Sequence, residues 1–65
     1  MVLKEKERTV IEDLLTQEKS CVEKYTMYAA QAKDPELKKL FETLRAKEQE
    51  HCDSLTKVLS GTVPE

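Results

Sequence analysis

From Met1 to Asp34 the chain has neither a glycine nor a proline, and from Glu36 to Ser60 it again has neither. The single glycine and the two prolines are Gly61, Pro35 and Pro64. Glycine and proline are the residues that most disfavour a helix interior. Their placement therefore allows two long helices, broken once at Pro35 and stopped at Gly61.

The apolar positions have helical spacing in both halves. In the first half they are Ile11, Leu14, Leu15, Val22, Tyr25, Tyr28, Ala29 and Ala32, which recur at three and four residues. In the second half Leu37, Leu40, Phe41, Leu44, Cys52, Leu55, Val58 and Leu59 do the same. Thr9 and Glu12 have the spacing of a capping box, so the first helix is expected over about 10–32. Residues 1–9 form a charged N-terminal segment with no core-facing stripe, open either to extending the helix or to fraying. Asp34 suits an N-cap, Pro35 the first helical position and Glu36 the first turn. The turn is expected at 33–34 and the second helix over about 35–60. Gly61 is placed to end it, with Pro64 beyond in a loose tail, 61–65.

So short a connection makes the helices neighbours in an antiparallel hairpin. Each helix shows an apolar stripe roughly 100° wide, and one hairpin cannot cover both. Sixty-five residues lie near the lower limit for a chain that folds alone. No disulfide framework or cysteine cluster is present to staple it, so oligomerisation is the expected source of the missing core. The predicted fold class is all-α: a two-helix hairpin that dimerises into a four-helix bundle. A homodimer is the minimum, with higher homo-oligomers open.

Composition narrows the function. Eleven basic residues against thirteen acidic ones leave no basic stripe for nucleic acid or a membrane surface. No apolar run has the length of a membrane span, and the N-terminal segment lacks the apolar core of a signal peptide, so a cytoplasmic setting is the default. Cys21 and Cys52 lack Cys-x-x-Cys spacing and read as buried thiols. Counted along the helices they are offset by about 7 Å, which disfavours a disulfide within one hairpin.

Three ionisable side chains fall inside the apolar stripes. Glu48 follows Leu44 by one turn, His51 follows by two, and Leu55 continues the stripe; Glu18 lies between Leu14 and Val22 on the first helix. Counted from the turn, all three lie about 21–26 Å along the hairpin, in one layer. Glu12, Glu23 and Glu50 lie off the stripes or at their edges. Carboxylates in an apolar seam are costly unless they are paired or hold a cation. Two-fold symmetry would double the set to four glutamates and two histidines. One glutamate from each of two helices and Glu-x-x-His from each of the others is the ligand set of di-iron and di-manganese carboxylate bundles. Iron or manganese suits carboxylate oxygen and imidazole. The bland alternative is a Glu18 that reaches to solvent and a His51 that is simply a satisfied core histidine. Tyr25, on the stripe two turns from Glu18, is either a core aromatic or a phenol that supports a ligating carboxylate. Cys21 and Cys52 lie near the same layer.

Over residues 10–60 the chain resembles the ferritin-like superfamily in its half-bundle form. One similar branch is the encapsulated ferritins: a glutamate, an aromatic seven residues on, a D-x-E-L-K turn and Glu-x-x-His. Glu18, Tyr25, "DPELKKLF" from Asp34 to Phe41, and Glu48 with His51 correspond, and Glu18 to Glu48 keeps the spacing of thirty residues. Gln17 and Ser20 stand where that branch carries further acids, and Lys24 where it has tryptophan. The second branch is the spore coat F-like proteins, whose helices "DLLTQEKSCVEKYTMYA" and "PELKKLFETLRAKEQEH" resemble. The rubrerythrin-type peroxidases share the bundle, but the paired Cys-x-x-Cys motifs of their iron–sulfur domain are missing.

The first resemblance implies a di-iron protein with an intersubunit site, two irons per dimer, and a ferroxidase or iron-handling role in a protein shell. Glu18, Glu48 and His51 would be both ligands and catalytic groups, with Glu48 and its symmetry mate bridging the metals. Tyr25 and Cys21 would stand behind them. The second resemblance implies a structural assembly protein in or around the spore coat, without redox turnover.

Overall fold

The structure, a computed structural model, describes residues 2–61. Two helices account for nearly all of them: α1, Glu5–Gln31, and α2, Pro35–Ser60. No strand is present among the described residues. Of the expected loose tail, 61–65, all but Gly61 lies outside the described residues.

α1 begins five residues before Val10, in the charged segment, and Thr9 is not its cap. Lys4 is the N-cap residue, and its backbone N–H donates to Glu7 Oε1 at 2.9 Å. Glu5 and Glu7 lie in the first turn, where carboxylates oppose the positive end of the helix dipole. The Thr9 hydroxyl instead donates back to the Glu5 carbonyl at 3.1 Å, as the hydroxyls of Thr16, Thr26 and Thr43 do to carbonyls four residues earlier. α1 closes when the Ala32 N–H bonds the Tyr28 carbonyl at 2.9 Å, and Ala32 itself is extended (φ −68°, ψ 128°).

The expected cap chemistry holds at both ends of α2. Asp34 Oδ1 accepts from the Glu36 N–H at 2.8 Å, and the Leu37 N–H reaches it at 3.5 Å. Pro35 occupies the first turn, where its missing N–H loses nothing. Gly61 takes the left-handed conformation, φ 74° and ψ 18°. A β-carbon there would meet nothing within 4 Å, so the backbone conformation rather than space selects glycine.

The helices pack antiparallel, and aromatics grip the turn end. The Phe41 ring lies 5.5 Å from that of Tyr28, tilted by 49°, and 6.4 Å from that of Tyr25, nearly parallel at 24°. Such pairs fix the register of facing helices beyond their area burial. At the open end the Arg8 guanidinium donates to the Leu59 carbonyl at 3.3 Å, a cation on the carbonyl-rich end of α2.

The Cα extents are 45 × 20 × 11 Å, so the molecule is one helix thick. Only Ala29 (6% exposed) and Cys52 (4%) are buried among the described residues. Val10, Leu14, Tyr28, Leu37 and Leu40 are 41–55% exposed. The helical phase explains the pattern. On α1, Ile11, Leu15, Val22 and Ala29 point at α2, while Val10, Leu14 and Tyr28 lie up to about a quarter-turn to one side. On α2, Leu40, Leu44, His51 and Val58 lean to that same side. The hairpin therefore presents one open apolar face.

Candidate metal centre

Glu18 sits midway along α1, between the residues that point at α2 and those on the open face. Glu48 and His51 occupy successive turns of α2, and Glu48 lies closer to the helix–helix seam. The layer deduced by counting is formed in space. His51 Nδ1 lies 3.6 Å from Glu18 Oε2 across the hairpin and 3.6 Å from Glu48 Oε2 along its own helix. One ligand atom from each of the three lies within 4.8 Å of the others.

These separations are too long for hydrogen bonds between nitrogen and oxygen. They are close to the spacing of donors around one ion. With metal–ligand bonds of about 2.0–2.2 Å, neighbouring donors in a tetrahedral or octahedral shell stand about 3.0–3.5 Å apart. The side chains are graded in exposure: Glu48 23%, Glu18 27%, His51 58%. Glu18 Oε2 is itself buried and has no hydrogen-bond partner. A buried polar atom with no partner is uncommon and calls for an explanation, and a cation among these three groups would supply one. These three groups, brought together within a single hairpin, are the ones that could hold a divalent metal.

The groups expected behind the ligands divide. The Tyr25 ring packs against Phe41, and no hydrogen bond joins its phenol to a carboxylate among the described residues. Cys21 is half-buried and Cys52 fully buried, both as free thiols. Cys52 is the one whose thiol is shifted. Burial pushes its thiol up, the Glu18 carboxylate pushes it further, and Asp53 and Cys21 add to this against a lowering by Lys19. The sequence placed Cys21 beside the ligands; Cys52, one turn after Glu48 on α2, is the cysteine whose thiol the Glu18 carboxylate pushes up.

No helix among the described residues is long and apolar enough to cross a membrane. Compared with known protein families, residues 6–60 match the family model described as the Coat F domain. No curated protein and no solved structure matches the chain significantly.

Proposed function

The chain belongs to the Coat F domain family, and from that premise we propose that it is a self-associating structural unit of the spore coat. Two hairpins would close, open face to open face, into a four-helix bundle that serves as the assembly module. The observation that carries this reading is the open face itself. Leucines, a valine and a tyrosine lie 41–55% exposed on a molecule with only two buried residues among those described. A contiguous apolar patch of this kind marks an interaction surface, and an isolated pair of helices has no other way to cover it.

Two measurements test the proposal. Sedimentation equilibrium should give a dimer or a larger homo-oligomer at micromolar concentration, and a fluorescent fusion in a spore-forming host should concentrate at the spore periphery. A monomer at all concentrations, or a fusion that stays diffuse in the cytoplasm through sporulation, would overturn it.

A second reading is favoured by the Glu18–Glu48–His51 cluster, whose ligand atoms converge within 4.8 Å. In it the bundle is a ferritin-like di-iron or di-manganese protein. The three side chains of each copy would hold the metals, with His51 as the nitrogen donor and the glutamates as charged oxygen donors. The chemistry that an iron pair supplies when bound is oxidation of Fe(II) by dioxygen. Anaerobic titration with Fe(II), followed by admission of oxygen, separates the readings. Two irons per dimer and oxidation faster than in a His51→Ala control support a ferroxidase; oxidation at the buffer rate leaves the coat protein.

A further inference from the structure

We propose that the second copy docks on the open face head to tail, its turn at the open end of the first hairpin and α1 antiparallel to α1, in a register set by Asp13 and Lys24. This rests on the reading that a second copy covers the open face.

Asp13 and Lys24 are exposed residues at the outer rim of α1, next to the side that carries Val10, Leu14 and Tyr28. They are eleven residues apart, close to three full turns, so they lie on one line about 16 Å apart. Among the described residues neither has an ion pair within the hairpin. The point midway between them falls at Glu18 and Lys19, the middle of α1. A two-fold axis across that point lays α1 against α1 in opposite directions. Asp13 of each copy then meets Lys24 of the other, and the contact is made twice.

The same axis orders the rest of the face. Glu18 stands opposite His51 within one hairpin, so the axis crosses α2 near Gln49 and Glu50. Leu44 is brought beside Leu55 of the second copy, and Phe41 beside Val58 of the second copy. At the turn end lies an open apolar pocket of about 320 Å³, lined by Tyr28, Gln31, Ala32, Leu37 and Phe41. Its own hairpin leaves it uncovered, with Tyr28 41% and Leu37 44% exposed. Head-to-tail docking carries Val10 and Val58 of the second copy to its Tyr28 and Phe41 edge.

The other two-fold arrangement sets both turns at one end. There α1 lies beside α2 at equal depth and the apolar layers match as well, so charge decides. Lys24 would stand about one turn from Lys47 of the second copy, exposed on the same rim, and Asp13 beside the uncharged Ser54. Rim charges of this kind select among alignments that the apolar core leaves open, because like charges brought together oppose the wrong one.

The experiment joins a zero-length carbodiimide, which links a carboxylate to a lysine amine as an amide with loss of water, to sedimentation velocity on the full chain in low salt. Peptide mapping of the covalent dimer should find Asp13 linked to Lys24. Within one hairpin the two stand too far apart along α1 to be linked, so the bond forms only between copies. Asp13→Lys and Lys24→Asp alone should each dimerise at least about threefold more weakly, because two exposed attractions become repulsions. Mixed in equal amounts, the two variants restore both opposite pairs and should return to the wild-type affinity. Tighter dimerisation of Lys24→Asp alone, as the same-end arrangement requires, would overturn the docking. So would a dimer whose reversed variants fail to rescue each other, or whose links leave Asp13 and Lys24 unjoined; either leaves the dimer standing. Monomers at every concentration, in wild type and in the variants alone and mixed, would overturn the reading of the face along with the docking.

Discussion

His51 on α2 and Glu18 on α1 face each other across the hairpin with Nδ1 and Oε2 3.6 Å apart, and Glu48 Oε2 stands at the same distance from the same nitrogen. One imidazole nitrogen is thus shared by carboxylates from both helices. Nothing in the local sequence around Glu18 requires this; the short turn brings it about by folding α2 back at matching depth.

The first prediction concerns these ligands. His51→Ala or Glu48→Ala should weaken Mn(II) binding at least about tenfold, a change of about 1.4 kcal/mol. Glu50→Ala removes a carboxylate from the outer face and should leave binding unchanged. Calorimetry on the three variants checks this, and a Glu50→Ala loss equal to the others would refute the assignment.

The open face predicts the effect of a charge placed on it. Leu40 is 51% exposed in the single hairpin, so Leu40→Asp should leave the helical circular dichroism of the monomer unchanged. In a dimer the leucine is buried twice by symmetry. Complete burial of a leucine contributes about 1.5–3 kcal/mol, so the variant should dimerise at least about 100-fold more weakly by sedimentation. Unaltered association would place the interface elsewhere.

Burial and the Glu18 carboxylate hold the Cys52 thiol above its ordinary value. The unfolded chain therefore releases this proton at lower pH than the folded chain does. The stability linked to it is present at neutral pH and declines as the pH rises above about 8.5. The urea midpoint should fall between pH 8 and pH 10 by more in wild type than in Cys52→Ser. Iodoacetamide should also label the half-buried Cys21 before Cys52, which mass mapping would show.

Asp34 caps α2 through one short hydrogen bond and one long one. Asp34→Ala should cost about 1 kcal/mol of stability, readable as a shift in the urea midpoint at fixed protein concentration. Asp34→Asn should restore most of it, because the cap needs an oxygen acceptor rather than a charge.

Much of this architecture is legible in the residues, and the legible parts share a cause. Asp34, Pro35 and Gly61 act on backbone within a few residues of themselves, so the limits of α2 can be read directly. The convergence of Glu18, Glu48 and His51 follows from a constant rise per residue once the turn is placed. The start of α1 is different. Thr9 and Glu12 imitate a cap, while the operative one is the Glu7 carboxylate on the Lys4 N–H. The first turns are also tied to the far end of the chain, through Arg8 and the Leu59 carbonyl, and no local pattern announces such a contact. The shift of the Cys52 thiol is similar, because it answers to a carboxylate on the opposite helix that only the packed pair brings near.

A molecule one helix thick has almost no inside. Its outer face answers to solvent, and its inner face answers to whatever arrives there, so the usual division between residues that make the fold and residues that make the contacts loses its meaning. If two hairpins pair as proposed, dilution would join heat and urea as a way of taking the structure apart, and the amount of protein in one place would become part of what determines its shape.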